Sequence, residues 1–159
     1  MKLCVRQKTF TWGDKFTVFD EYGHPRYYVE GEVFTLGKKL HVYDADGNEV
    51  AFIERKLFTW MPRYVITAGG NAIAEVVREF SFASQKYAVD GPGWRVEGDF
   101  FAHSYTITEN GRLVATIEKE WFTWGDVYSV EYGDGREEVI VLAVVLSIDA
   151  AMAESQSSS

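Results

Sequence analysis

A large apolar residue, then any residue, then Val or Ile: this alternation recurs six times along the chain. The instances are Phe16/Val18, Leu40/Val42, Tyr64/Ile66, Tyr87/Val89, Tyr105/Ile107 and Tyr128/Val130. A period of two built from aromatic and β-branched residues predicts strands. Turn chemistry follows each one, as in Asp20-Glu21-Tyr22-Gly23, Asp44-Ala45-Asp46-Gly47-Asn48, Gly69-Gly70-Asn71 and Asn110-Gly111. Gly and Asn reach positive φ and Asp bonds its own backbone, so these turns predict hairpins. Second alternating runs complete most of them, at Ala51/Ile53, Ala74/Val76, Trp94/Val96 and Ala115/Ile117.

A phrase introduces the units. Phe10-Thr11-Trp12-Gly13, Phe34-Thr35-Leu36-Gly37 and Phe58-Thr59-Trp60-Met61 are 24 residues apart, and Phe122-Thr123-Trp124-Gly125 is a fourth copy. Weaker copies surround Phe80-Ser81-Phe82 and Phe100-Phe101-Ala102. Six units predict about twelve strands, with Gly13, Gly37 and Gly125 turning one hairpin into the next. The recurrence of Trp12, Trp60 and Trp124 at one corner of the unit predicts that they pack the hairpin corners.

The pattern breaks at Val139. From there to Met152 only Ser147 and Asp149 are polar, and no stripe is visible. The run is short for a membrane span, which needs about twenty apolar residues. Its length and all-round apolarity predict a buried helix over about 137–152, opened by an Asp134/Glu137 capping box. Residues 153–159 read as a disordered tail.

Twelve hairpin-linked strands hide their edges by closing. At about 4.8 Å between strands and a tilt of about 40°, the lumen inside the side chains is about 14 Å wide. A helix with side chains is about 10–12 Å wide. The reading is therefore all-β with one helix: a closed antiparallel barrel of about twelve strands around a buried hydrophobic C-terminal helix. It forms a single domain over residues 1–152. A β-trefoil also uses six hairpins, but it has no place for the apolar run.

The ordered phrases carry a family resemblance. Gln7 to Phe16, Gly31 to Gly37, Trp94 to Phe100 and Trp121 to Asp126, ending in the Val139–Ile148 run, resemble the LURP-one-related family over residues 1–152. That family is grouped with the Tubby C-terminal domain and the phospholipid scramblases. The resemblance implies a Tubby-like twelve-stranded barrel around a central helix. It also implies binding rather than catalysis, since Tubby relatives bind phosphoinositide head groups through surface Lys and Arg.

Charge and chemistry narrow the function. The chain has 16 Lys and Arg against 24 Asp and Glu, a net charge of −8. That balance disfavours nucleic acid as a partner, because phosphate-backbone binders need a positive footprint. Residues 1–63 carry a net +1 and residues 64–159 a net −9. The less acidic half holds Lys38, Lys39, Arg55, Lys56 and Arg63, which neighbouring strands would gather into a basic patch. These are the candidate ligand-binding residues; the alternative is that they blunt solvated hairpin edges.

Other motifs lead less far. Asp44-Ala45-Asp46-Gly47-Asn48-Glu49 misses the calcium-loop spacing, because Gly falls fourth and no Glu stands twelfth. His24, His41 and His103 lie in separate units without ligand spacing. No phosphate-cradling loop or nucleophile elbow is present. Cys4, the single cysteine, reads as a buried small residue. The opening Met1 to Lys8 moves straight into patterned strands, so no signal peptide is expected.

The expectation is a non-enzymatic binding protein without catalytic residues, metal or cofactor. It is cytoplasmic or peripheral to a membrane, and its ligand is an anionic lipid or membrane surface. The alternative is a protein-interaction scaffold using exposed aromatic hairpin corners.

Overall fold

The computed structural model describes residues 1–7, 15–81, 84–120 and 126–157. Twelve strands form in chain order: β1 (Lys2–Gln7), β2 (Lys15–Asp20), β3 (Pro25–Gly31), β4 (Lys39–Asp44), β5 (Glu49–Arg55), β6 (Arg63–Ala68), β7 (Asn71–Glu79), β8 (Lys86–Asp90), β9 (Trp94–Asp99), β10 (Ser104–Glu109), β11 (Arg112–Lys119) and β12 (Asp126–Tyr132). Every strand is antiparallel to its neighbours and the sheet closes into a barrel. A short 3₁₀ turn (Gly135–Glu137) leads into one helix, α1 (Glu138–Ser157).

The alternation places side chains as expected. Val18, Leu40, Val42, Tyr64, Ile66, Tyr87, Val89, Tyr105, Ile107, Tyr128 and Val130 are all buried on the inner wall, with only Phe16 of the six pairs half-buried. Four hairpins share one irregularity. A register shift follows Val18, Val42, Ile66 and Ile107, the inward Val or Ile of the first strand. An extra residue there bends and twists the ribbon, which helps a sheet to close.

The hairpin count needs one revision. Five units are hairpins, but the sixth contributes only β12, and its Gly133-Asp134-Gly135 turn leads into the helix. The twelfth strand is β1, which pairs with β12 from Lys2↔Glu131 to Gln7↔Asp126. Leu3 and Val5 supply its inward face. Cys4 lies on the other face, half-buried rather than buried, and burial pushes its thiol pKa up.

α1 fills the lumen. Residues Val141 to Ala151 are at most 4 % exposed, on every side of the helix. Its start carries a cap: the Asp134 carboxylate accepts the Arg136 N–H, opening the 3₁₀ turn rather than the α-helix. The end lies five residues beyond the expected Met152, so residues 153–157 are helical and not tail. The reason is electrostatic. Arg55 Nε donates to both oxygens of Glu154, at 3.1 and 3.0 Å, and the Tyr64 hydroxyl donates to Oε2 at 3.0 Å.

Two more carboxylates tie the helix to the wall. Glu138 accepts from the hydroxyls of Tyr27 and Tyr132 and from Arg26 Nε. Asp149 accepts from the Tyr128 hydroxyl, and His103 Nε2 lies 3.3 Å from it. Burial pushes the Glu138 carboxyl upward, but the bonds from Tyr132, Tyr27 and Arg26 outweigh it and hold the pKa below the usual range.

Two outcomes test this account. Ala143 is fully buried, so Ala143→Asp should cost several kcal/mol in urea unfolding. An unchanged unfolding midpoint would mean that the helix does not sit in the lumen. Glu138 has a depressed folded pKa. Its stabilisation is therefore present above the unfolded value of about 4.3 and lost as pH falls through the folded value. Thermal melts between about pH 6 and pH 3 should fall less steeply for Glu138→Gln than for the parent chain.

Candidate functional site

Alternating strands sort the connections. The tight turns of the β2–β3, β4–β5, β6–β7, β8–β9 and β10–β11 hairpins lie at one end of the barrel. The longer connections between hairpins lie at the other. α1 enters at the turn end and finishes among the connections, where Glu154 meets Arg55.

All five candidate cations stand at the connection end. Lys38 precedes β4, Lys39 opens it, Arg55 closes β5, Lys56 follows, and Arg63 opens β6. They do not make one uniformly basic patch, because carboxylates intervene. Lys39 lies 3.3 Å from Glu54, Lys56 3.3 Å and Arg63 3.0 Å from Glu75, and Arg55 is held by Glu154. Burial pushes the Glu75 carboxyl up, but Arg63 and Lys56 together hold its pKa below the usual range.

The β5–β6 connection divides the cations between two cavities. A cavity of about 430 Å³ at the helix end is lined by Lys38, Arg55, Leu57, Phe58, Tyr64 and helix residues from Ala150 to Ser157. A second, of about 450 Å³, is lined by Lys56, Thr59, Trp60, Met61, Arg63, Val77 and Arg78. Lys39 lines neither.

Arg78 was absent from the sequence reading, and the signal for it was present. Ala51, Ile53 and Arg55 share one face of β5, as Ala74, Val76 and Arg78 share one face of β7. Both arginines thus fall on the inward register at the barrel mouth. Arg78 Nη1 lies 3.4 Å from Ser155 Oγ, so both reach the last turns of α1. Cations there complement the partial negative charge of a helix C-terminus. Arg55 therefore supports the helix as well as lining a cavity.

Around these cavities stands an apolar rim. Val33, Phe34 and Leu36, then Leu57, Phe58 and Trp60, then Phe80 and Phe101 are exposed on successive connections at this end. A Cβ on Gly37 would come within 3.0 Å of Leu57 Cδ2, so the first two connections touch. Phe34, Phe58 and Trp60 are 98, 102 and 95 % exposed. Trp60 thus does not pack a hairpin corner; its ring lies in water. Trp12 and Trp124 lie outside the described residues. Phe34 and Phe58 also hold φ of 57° and 59°, a left-handed conformation that costs a non-glycine residue about 1–2 kcal/mol.

The turn end has the opposite character. Asp20, Glu21, Asp44, Asp46, Glu49, Asp90, Glu109 and Asp134 stand on or beside its turns. The charge asymmetry is therefore better described along the barrel axis than between halves of the chain. Asp44 spends its carboxylate locally, accepting the N–H groups of Asp46 and Asn48 and the Asn48 side chain. Its turn is a hairpin turn, not an ion loop.

The histidines stay apart. His24 sits 3.5 Å from Asp20 in a turn, and His41 faces outward between Glu32 and Glu49 with its ring against Phe52. His103 stacks on Tyr128 at 4.5 Å beside Asp149. Among the described residues no cluster of His, Cys, Asp and Glu is arranged to hold a metal ion. No helix among them is long and apolar enough to cross a membrane.

With barrel, helix and rim in place, comparison with known proteins decides the kinship. The LURP-one-related family model matches residues 1–149. The chain belongs to the LURP-one-related family. A relative described as the uncharacterized protein YxjI of Bacillus subtilis is 28% identical over 149 residues, 94% of this chain and 92% of that one. The fold also matches an X-ray structure of an Arabidopsis thaliana protein, with a TM-score of 0.66 at 19% identity, covering 93% of this chain and 89% of that one. This LURP-one-related chain thus shares its barrel with a plant protein and most of its length with a bacterial one.

The exposed rings yield a test with a definite sign. Because Phe58 packs on little and holds positive φ, Phe58→Gly should leave the melting temperature unchanged or raise it, relieving about 1 kcal/mol of strain. A drop of several degrees would show that the ring supports the fold.

Proposed function

We propose that the chain acts by binding rather than by catalysis, docking the connection end of its barrel onto an anionic membrane surface from the cytoplasmic side. The observation that carries this reading is the pair of strained, fully exposed rings at Phe34 and Phe58, joined by Trp60 on the same rim. Backbone strain kept beneath rings left almost wholly in solvent points to a role outside the fold. Aromatic and aliphatic side chains beside basic ones suit the boundary between head groups and acyl chains.

The cavity beside Trp60 supports the charge preference. Lys56, Arg63 and Arg78 line it, and Glu75 answers two of them. A local positive excess therefore survives on a chain of net charge −8. The acidic turns at the far end would point away from an anionic surface, which orients the molecule. On this reading Lys38, Lys39, Arg55, Lys56 and Arg63 contribute unequally: Lys56 and Arg63 share one carboxylate, Glu75, and stand beside Arg78, Lys39 and Arg55 are each matched by a carboxylate of their own, and Lys38 lines the other cavity.

One observation favours a second reading, a protein partner. Most of the candidate cations are already paired, so the rim's largest unused asset is apolar, and exposed apolar patches also mark protein interfaces.

Flotation with vesicles of phosphatidylcholine alone and with added phosphatidylserine separates the two. Binding should require phosphatidylserine and weaken with salt. Lys56→Gln and Trp60→Ala should each lower the affinity, the first by about fivefold, corresponding to about 1 kcal/mol per basic residue. Absence of binding to both vesicles at low salt would discard the membrane reading and leave the protein partner.

A further inference from the structure

His41 stands away from the cavities, on the outward face of β4, with a carboxylate at each ring nitrogen. Its Nδ1 meets Glu49 Oε1, and its Nε2 lies 3.1 Å from Glu32 Oε1. A carboxylate only accepts hydrogen bonds, whereas a neutral imidazole has one N–H and one lone pair. Both contacts are therefore bonds only when the ring carries two protons. With one proton, a lone pair faces one of the two carboxylates and repels it.

The surroundings favour the second proton. Glu30 lies opposite His41 across the β3–β4 ladder, and Glu54 lies opposite Lys39 across β4–β5. Lys15 Nζ is 3.5 Å from Glu30 and Lys39 Nζ is 3.3 Å from Glu54, so both nearby cations have carboxylates of their own. Tyr28 and Tyr43 share the outward face, and a phenol ordinarily titrates far above an imidazole. The Phe52 ring covers His41 at 4.7 Å between centroids. Burial pushes the imidazole down, but the bonds to Glu49 and Glu32 outweigh it and hold the pKa above the usual value.

The two carboxylates differ in what holds them. Glu49 belongs to β5 and pairs with Tyr43 in the ladder. Glu32 lies just past β3, where the connection to β4 begins, and its N–H donates to the Lys39 carbonyl at 3.0 Å. Beyond it come Val33, Phe34 and Leu36, the first part of the apolar rim. At the far end of the connection the Arg55 N–H donates to the Lys38 carbonyl at 2.9 Å. The Glu32 carboxylate thus tethers the near end to the sheet.

We propose that His41 is a proton-operated clasp: as imidazolium it holds Glu32 and Glu49 together, and on losing a proton it releases Glu32 and loosens the 32–38 connection that carries Phe34. The inference does not rest on the membrane reading, because the clasp works within the chain and sets the rim for either kind of partner. A raised folded pKa gives the direction. The stabilisation is full below the unfolded value of about 6.5 and is lost as pH rises through the folded value.

The test is NMR of the full chain in water between about pH 5.5 and pH 8.5. The His41 ring signals and the amides of Glu32, Val33 and Phe34 should follow one transition, with its midpoint above about 6.5. Amide exchange at Phe34, Thr35 and Leu36, corrected for its intrinsic rise with pH, should quicken about threefold across it, as expected for the loss of one partly exposed ion pair. His41→Gln should abolish the transition at these amides, and Glu32→Gln should lower the His41 midpoint by about 0.5.

The parent spectra decide the matter even where a variant fails to fold. A His41 midpoint at or below about 6.5, or connection amides that do not follow it, would overturn the proposal. So would a transition of those amides that survives His41→Gln, or a midpoint left unchanged by Glu32→Gln.

Discussion

A twelve-stranded barrel cannot fill its own lumen, and the molecule depends on a helix that is apolar on every side. Such a helix has a cost in specificity. With no stripe to prefer one face, packing alone sets neither its rotation nor its depth. Three carboxylates do so instead. Glu138 at the start, Asp149 near the middle and Glu154 near the end each meet an inward tyrosine hydroxyl: Tyr27 and Tyr132, then Tyr128, then Tyr64. Arg26 and Arg55 complete the two outer sites. A buried charge without partners costs far more than a paired one gains. Glu138 and Asp149 are buried, so a helix shifted by a turn or rotated by a quarter would strand both at once and take the half-exposed Glu154 from its partners. The inward tyrosines that meet these carboxylates thus act as wall and as ratchet.

Repetition also explains why one end of the barrel is unlike the other. Each hairpin unit contributes one tight turn and one longer connection, and antiparallel closure sends them to opposite rims. Whatever the repeat encodes in its phrase therefore accumulates in a ring. Phe34 and Phe58 show the outcome most plainly, with matching backbone angles and rings turned to solvent. At the other rim acidic residues stand on or beside the tight turns, from Asp20 to Asp134. A polar axis for the molecule thus follows from a local grammar, without any single residue specifying it.

Much of this was legible. Alternation located the inner wall from Val18 to Val130, and the missing stripe in Val139 to Met152 identified the plug. What escaped did so for physical reasons. Lys2 to Gln7 form a strand whose only apolar inward residues are Leu3 and Val5, too short a run to signal alone, and it becomes a strand because β12 offers it an edge. Ala153 to Ser157 read as tail because their helicity is supported by Arg55 and Tyr64, distant in sequence. Trp60 reads as structural because recurrence commonly means packing, whereas in the structure its ring is exposed, as are those of Phe34 and Phe58. Arg78 was readable from the inward parity of Ala74 and Val76, whereas the candidate set followed clustering along the chain. The Lys56–Glu75–Arg63 cluster joins a connection to two strands, so its charge balance needed the register.

The β1–β12 seam has a consequence for how the chain is made. Its two strands are separated by more than a hundred residues, whereas all other wall pairings join consecutive strands. During synthesis the five hairpins can form as they emerge, but the open sheet keeps two free edges and an unfilled inner face. Closure must wait for β12, and the plug follows it. For most of its time on the ribosome the nascent chain is thus an apolar gutter. Its protection from aggregation then falls to chaperones, or to the speed at which β12 and α1 follow the hairpins.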